Sequence, residues 1–177
     1  MSKDASKKEL HTVFYKNGKK RQEGKNIKGK KEGVWTEWYE NGQIKSKESF
    51  KDNKWDGKHT YWYENGQKMK ESRDIKGEYE GKWISWYENG QKKEEHYYKD
   101  EKLVGTKTVW YEGGQKHIEI NYIDGKLNGK YTWWFENGLI SNVSYYKDDK
   151  LDGMFSVWNE DGQKISTENF KEGKLDG

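Results

Sequence analysis

The sequence predicts an all-β fold, an elongated single-layer antiparallel meander of about seven β-hairpin repeats of 24 residues each. Three observations carry that expectation. One motif recurs in strict phase, every period holds two turn signals, and the apolar area is concentrated in aromatic rings.

The string Trp-Tyr-Glu-Asn-Gly-Gln begins at Trp38, Trp62 and Trp86, and degenerate copies begin at Phe14, Trp110, Trp134 and Trp158. Each start follows the last by 24 residues, and Gly33, Gly57, Gly81, Gly105, Gly129, Gly153 and Gly177 keep the same step. The first turn signal is Asn41-Gly42, repeated as Asn17-Gly18, Asn65-Gly66, Asn89-Gly90, Gly113-Gly114, Asn137-Gly138 and Asp161-Gly162. Asn-Gly suits a two-residue type I′ turn, because both central positions of that turn need positive φ. A weaker signal follows at Asp52-Asn53, Lys76-Gly77, Asp100-Glu101, Asp124-Gly125, Asp148-Asp149 and Glu172-Gly173, where Glu101 fits poorly. Strands of nine residues (Gln43 to Lys51) and eleven residues (Lys54 to Glu64) lie between the turns. Two strands per unit give about fourteen in all. Gly57 and its equivalents fall inside the longer strand, where glycine marks a bulge or bend. The expected organisation is a polar tail over residues 1–10 and a repeat array over 11–177.

Composition fits a thin sheet better than a thick core. Only 30% of the 177 residues are hydrophobic and 37% are charged, yet ten Trp, thirteen Tyr and five Phe make up 16% of the chain. Rings bury large areas each, so strand-to-strand stacking can stabilise such a sheet. The net charge is +3, with both signs interleaved along the chain. A nucleic-acid binder concentrates its basic residues. Only Lys19, Lys20, Arg21, Lys28, Lys30 and Lys31 approach that, and no nucleic-acid partner is expected. There is no Cys, which excludes disulfides and thiolate metal sites. No apolar run approaches the roughly 20 residues of a membrane helix, and no signal peptide is visible. A cytoplasmic location is the resulting expectation.

Alternation places Trp62 and Tyr63 on opposite faces. The ladder Trp38, Trp62, Trp86, Trp110, Trp134 and Trp158 is expected to be structural and buried. The columns that vary between repeats are expected to be more exposed and to bind a partner. They supply Trp35, His59, Trp83, Tyr131 and Phe155, together with Tyr61 and Trp133. Turn geometry pairs Phe50 with Trp55, Tyr98 with Leu103, Tyr122 with Leu127, Tyr146 with Leu151 and Phe170 with Leu175. Asp74, in place of a ring, and Lys107 and Asn159 read as local breaks.

The unit resembles the MORN repeat in its bacterial variant form. Tyr122, Asp124, Gly125, Lys126, Leu127 and Gly129, then Trp134, Phe135, Glu136, Asn137 and Gly138, carry the likeness, which extends over about Thr12 to Gly177. The resemblance implies a hairpin sheet used for protein association, dimerisation or lipid contact. Similar bacterial proteins are labelled YwqK-type antitoxins. Leucine-rich, choline-binding and YD repeats fit the leucine content or the spacing less well.

No catalytic residue stands out. His11, His59, His96 and His117 share no ligand spacing and read as scattered surface residues. The loop at Asp148 and Asp152 fails the calcium pattern, with Lys150 between them and Asn159 at the twelfth position. No metal, cofactor or enzymatic activity is expected. The leading reading is a scaffold for protein–protein interaction, antitoxin-like as a special case. The alternative is glycan, cell-envelope or membrane-lipid binding by aromatic platforms. The array stops at Gly177, halfway through a hairpin, so homodimers through sheet edges are expected.

Overall fold

A computed structural model describes residues 8–177. Every regular element among them is a strand, and the chain divides into two compact units. The first runs to Gly81 and includes Glu88–Gly90. The second comprises Lys82–Tyr87 and Gln91–Gly177.

The first unit contains β1 (Lys8–Phe14), β2 (Lys20–Ile27), β3 (Lys30–Trp38), β4 (Ile44–Lys51), β5 (Lys54–Trp62), β6 (Lys68–Ile75) and β7 (Glu78–Tyr79), each paired antiparallel with the next. The second unit contains β8 (Gly81–Trp86), β9 (Lys92–Lys99), β10 (Lys102–Trp110), β11 (Lys116–Ile123), β12 (Lys126–Trp134), β13 (Ile140–Lys147), β14 (Lys150–Leu151), β15 (Gly153–Trp158), β16 (Lys164–Lys171) and β17 (Lys174–Leu175). From β9 onward the same antiparallel meander runs to β17, with β14 and β15 both paired to β13. Of the tail expected at 1–10, residues 1–7 lie outside the described residues, and β1 begins at Lys8.

The second turn has the two residues expected of it, and the Asn-Gly turn has one more than expected. Asn-Gly does not form the two-residue type I′ turn. Tyr39 N donates to Gln43 O (2.8 Å) and Gly42 N donates to Tyr39 O (2.9 Å), closing a three-residue loop in which Gly42 alone has positive φ, at 94°. This is the arrangement of a type I turn followed by a left-handed glycine. The type I′ turn falls at the weaker signal, with Asp52 and Asn53 at φ 52° and 67° and even Asp100 and Glu101 at 49° and 62°. The bulge expected at Gly57 is present: Glu48 pairs with His59 and Phe50 with Trp55, so the intervening stretch on β5 is longer than its partner on β4.

Register sorts the side chains onto two faces. Trp35 and His59 both lie opposite Glu48, and Tyr61 lies opposite Ser46, which places the variable aromatic columns together on one face. The Trp ladder, with Lys47 and Thr60, occupies the other. The buried hydrophobic core is on the variable face, at Trp35 and Phe50. Small buried hydroxyl residues at Ser46, Ser72 and Ser144 leave room there for the neighbouring rings.

Candidate functional site

The variable column pairs one unit's ring with a ring of the next. Trp35 meets Phe50 edge-on at 6.5 Å between centroids, Tyr131 meets Tyr146 at 6.0 Å, and Phe155 meets Phe170 at 6.3 Å. Trp35 is the best enclosed of them. Its ring sits on the backbone of Gly24, where a Cβ would fall 2.2 Å from Trp35 Cδ2, and its Nε1 donates to Lys25 O at 3.2 Å. The Lys31 ammonium caps the ring at 4.4 Å, and the His11 ring lies 5.4 Å away.

One register later the ring pair becomes polar. His59 and Asp74 occupy the positions that Trp35 and Phe50 hold in the preceding register. His59 is 1% exposed, Asp74 is 2% exposed, and Nε2 approaches Oδ2 to 3.4 Å. Both His59 ring nitrogens and Asp74 Oδ2 are buried without a hydrogen-bond partner. Burial lowers the His59 pKa and raises that of Asp74, so each group is biased towards its neutral form, against their mutual attraction. Trp55 roofs His59 at 5.1 Å. Tyr61 donates its hydroxyl hydrogen to Glu48 Oε1, and burial followed by that bond pushes its pKa up.

In the second unit Trp83 stacks on His96 at 4.6 Å, and Glu94 lies 3.2 Å from His96 Nδ1 and 2.6 Å from the Lys107 ammonium. Those two contacts, His96 first, hold the Glu94 carboxyl down at about 2 against burial, which raises it. Further along, His117 stacks on Tyr111 at 4.0 Å and meets the edge of Trp133 at 5.3 Å. Trp133 is 39% exposed, which leaves a braced ring open to solvent.

The opposite face is built by repetition. Lysines lie over the ladder rings, at 5.9 Å for Lys20 over Trp38, 5.5 Å for Lys92 over Trp110 and 5.6 Å for Lys116 over Trp134. Each of these lysines also pairs with the glutamate three residues on, at 2.5 Å for Glu23, 2.7 Å for Glu95 and 2.5 Å for Glu119. Exposed pairs of this kind are each worth about 0–1 kcal/mol. Stronger stitching comes from the tyrosine that follows each Trp, on the other side of the strand. Tyr15, Tyr39, Tyr87 and Tyr111 donate their hydroxyl hydrogens to the carbonyls of Trp38, Trp62, Trp110 and Trp134 at 2.6–2.8 Å.

These placements correct the expected division of the columns. Trp35 and His59, expected on the exposed surface, are buried. Tyr61, Trp83, Tyr131 and Phe155 are half-buried, and Trp133 is exposed. The whole Trp ladder, expected to be buried, is half-buried at Trp38, Trp62, Trp86, Trp110, Trp134 and Trp158. The variable face holds the close ring pairs, whereas the ladder rings are covered mainly by flexible lysines. Nor are the histidines all surface residues, although His11 is exposed as expected. His59 and His96 are buried, and all four contact an aromatic ring. Asp74 was legible as a break in a column, but its partner was not. Both lie in columns that face each other between consecutive units, and that was the available signal. Glu48 and Glu94 carried no signal in their own column. No three His, Asp or Glu side chains among the described residues are placed to hold a metal ion.

Residues 31–52, 55–73, 79–100 and 103–124 match the family profile described as the MORN repeat variant, and each segment brackets one three-residue loop with its flanking strands. Four segments of the chain are MORN repeats of the variant form. Repeats of this kind are in general protein- or membrane-binding modules. No curated protein matches the chain.

Proposed function

We propose that this MORN array is a non-enzymatic scaffold that captures a protein partner, with the platform around Trp133 as its principal contact. The observation that carries this reading is the exposure of Trp133 on a ring stack already braced by His117 and Tyr111. A braced aromatic loses little side-chain freedom on binding, and Trp and Tyr dominate the energetics of protein interfaces. Half-buried Val109, Ile118 and Val157 lie in the same or the adjoining column and extend the apolar surface. Trp35 and His59 are buried in the first unit and take no part in this platform. Trp83, Tyr131 and Phe155, half-buried in the same unit as Trp133, are further candidates, and Tyr61 is a separate candidate in the first unit. The antitoxin-like role is the special case in which the partner is a toxin met in the cytoplasm.

The test is affinity capture with the intact chain and with Trp133→Ala, followed by identification of bound proteins and direct titration of each purified candidate. A specific protein that binds the intact chain and is lost with Trp133→Ala, while the melting temperature changes little, supports the reading. Retention on anionic lipid vesicles or cell-wall glycan with no specific protein bound would replace it with the lipid or glycan alternative. Equal affinity of the variant would remove Trp133 from the site.

A further inference from the structure

Four of the six Asn-Gly pairs, at Asn17, Asn41, Asn65 and Asn137, offer a controlled comparison of one reaction in matched loops. In each, the Asn side-chain oxygen accepts the backbone N–H two residues on: Asn17 from Lys19 (3.0 Å), Asn41 from Gln43 (2.8 Å), Asn65 from Gln67 (2.9 Å) and Asn137 from Leu139 (2.9 Å). In each, the following glycine N–H donates to the carbonyl three residues back, at 2.9–3.0 Å. The side-chain nitrogen separates them. Asn41 Nδ2 donates to Glu64 O at 3.2 Å, Asn65 Nδ2 to Glu88 O at 2.9 Å and Asn137 Nδ2 to Glu160 O at 2.8 Å, each reaching a carbonyl of the next repeat. At Asn17 the equivalent carbonyl, Glu40 O, is taken by the Lys19 ammonium at 2.9 Å. Lys19 stands where Gln43, Gln67 and Leu139 stand in the other three loops.

From this we infer that Asn17 deamidates spontaneously faster than Asn41, Asn65 and Asn137, where the clamp slows this covalent modification. The Gly18 amide nitrogen attacks Asn17 Cγ. A new C–N bond forms, the Gly18 amide proton passes to solvent base, and Nδ2 leaves as ammonia, giving a five-membered imide. Water then opens either imide carbonyl, yielding aspartate or isoaspartate. The net change consumes one water and releases one ammonia. To reach the attack geometry the side-chain amide must rotate out of its hydrogen bonds. Asn17 breaks one and the clamped residues break two. One net hydrogen bond is worth a factor of about two to twelve in rate. The product places a carboxylate in the β1–β2 loop, and in its iso form adds a methylene to the main chain, so the modification marks the first hairpin.

The experiment incubates the full chain in mildly alkaline buffer at physiological temperature and follows each Asn-Gly peptide by mass and by isoaspartate content. Asn17 is expected to convert about two- to twelvefold faster than Asn41, Asn65 and Asn137. Denaturant should erase the difference. Lys19→Gln, which restores the residue of the neighbouring repeats and frees Glu40 O, should bring Asn17 down to the rate of the clamped residues. Equal rates in the native chain would overturn the inference. So would an Asn17 that stays fast in Lys19→Gln, because fraying of the first hairpin would then explain the rate without the clamp.

Discussion

Removing Trp35 should cost this protein far more than removing Trp133. Trp35 is 3% exposed, is seated on the Gly24 backbone, and touches Phe50 and Lys31. Its side chain removes about 150–250 Å² from water. At about 25 cal/mol per Å² that burial is worth about 4–6 kcal/mol. Measured Trp-to-Ala substitutions in cores cost about 3–5 kcal/mol, so the two routes agree. That is a large share of a typical stability of about 5–15 kcal/mol. In an array held by nearest-neighbour contacts, the loss falls on β2, β3 and β4 together. At about 2–4 °C per kcal/mol for a chain of this size, Trp35→Ala should lower the melting temperature by about 6–20 °C. Trp133 keeps 39% of its surface in solvent, and its deletion should shift melting much less. Far-UV circular dichroism on the wild type and both variants decides the matter. Equal shifts, or a larger shift for Trp133→Ala, would refute the assignment of the core to the variable face.

Gly24→Ala should destabilise by about 1–3 kcal/mol, because the new Cβ falls 2.2 Å from the Trp35 ring. An unchanged urea midpoint would mean that the ring does not rest there. Tyr39→Phe removes the 2.7 Å bond to Trp62 O and should cost about 1 kcal/mol; a neutral result in the same assay would deny the stitch any energetic role. Burial holds the His59 pKa below that of free imidazole, near ~6.5, so its contribution to stability is complete above that pH and is lost as pH falls through the folded value. Asp74 is shifted upward by burial, so its contribution is complete below about 3.9 and is lost as pH rises through its folded value. Comparing wild type with His59→Asn isolates the first effect. The wild type's advantage should shrink as pH drops below ~6.5, and a difference independent of pH would show that His59 is not held neutral.

Much of the architecture was legible because it depends on local periodicity. Two turns per unit, the glycine bulge and the pairing of Phe50 with Trp55 all follow from spacing, and the structure contains each. Turn type was not legible. Asn-Gly fits a two-residue I′ turn, and it also fits the last two positions of the three-residue loop. The pairing of Tyr39 with Gln43 selects the second. Glu101 has poor intrinsic preference for positive φ, but the pairing of β9 with β10 on either side imposes it.

The sequence by itself determined the period, the all-β class and the membership of each column. A strict repeat leaves one way to place turns, and alternation leaves one way to assign faces. It could not say which face is the better covered, since both carry rings. That depends on contacts between residues of successive hairpins. Tertiary structure alone seats Trp35 on Gly24 and brings His59 to Asp74, because residues 11 or 15 positions apart meet only once strands are paired in register. Packing across strands, rather than pattern along them, decides which aromatic is core and which is left open for a partner.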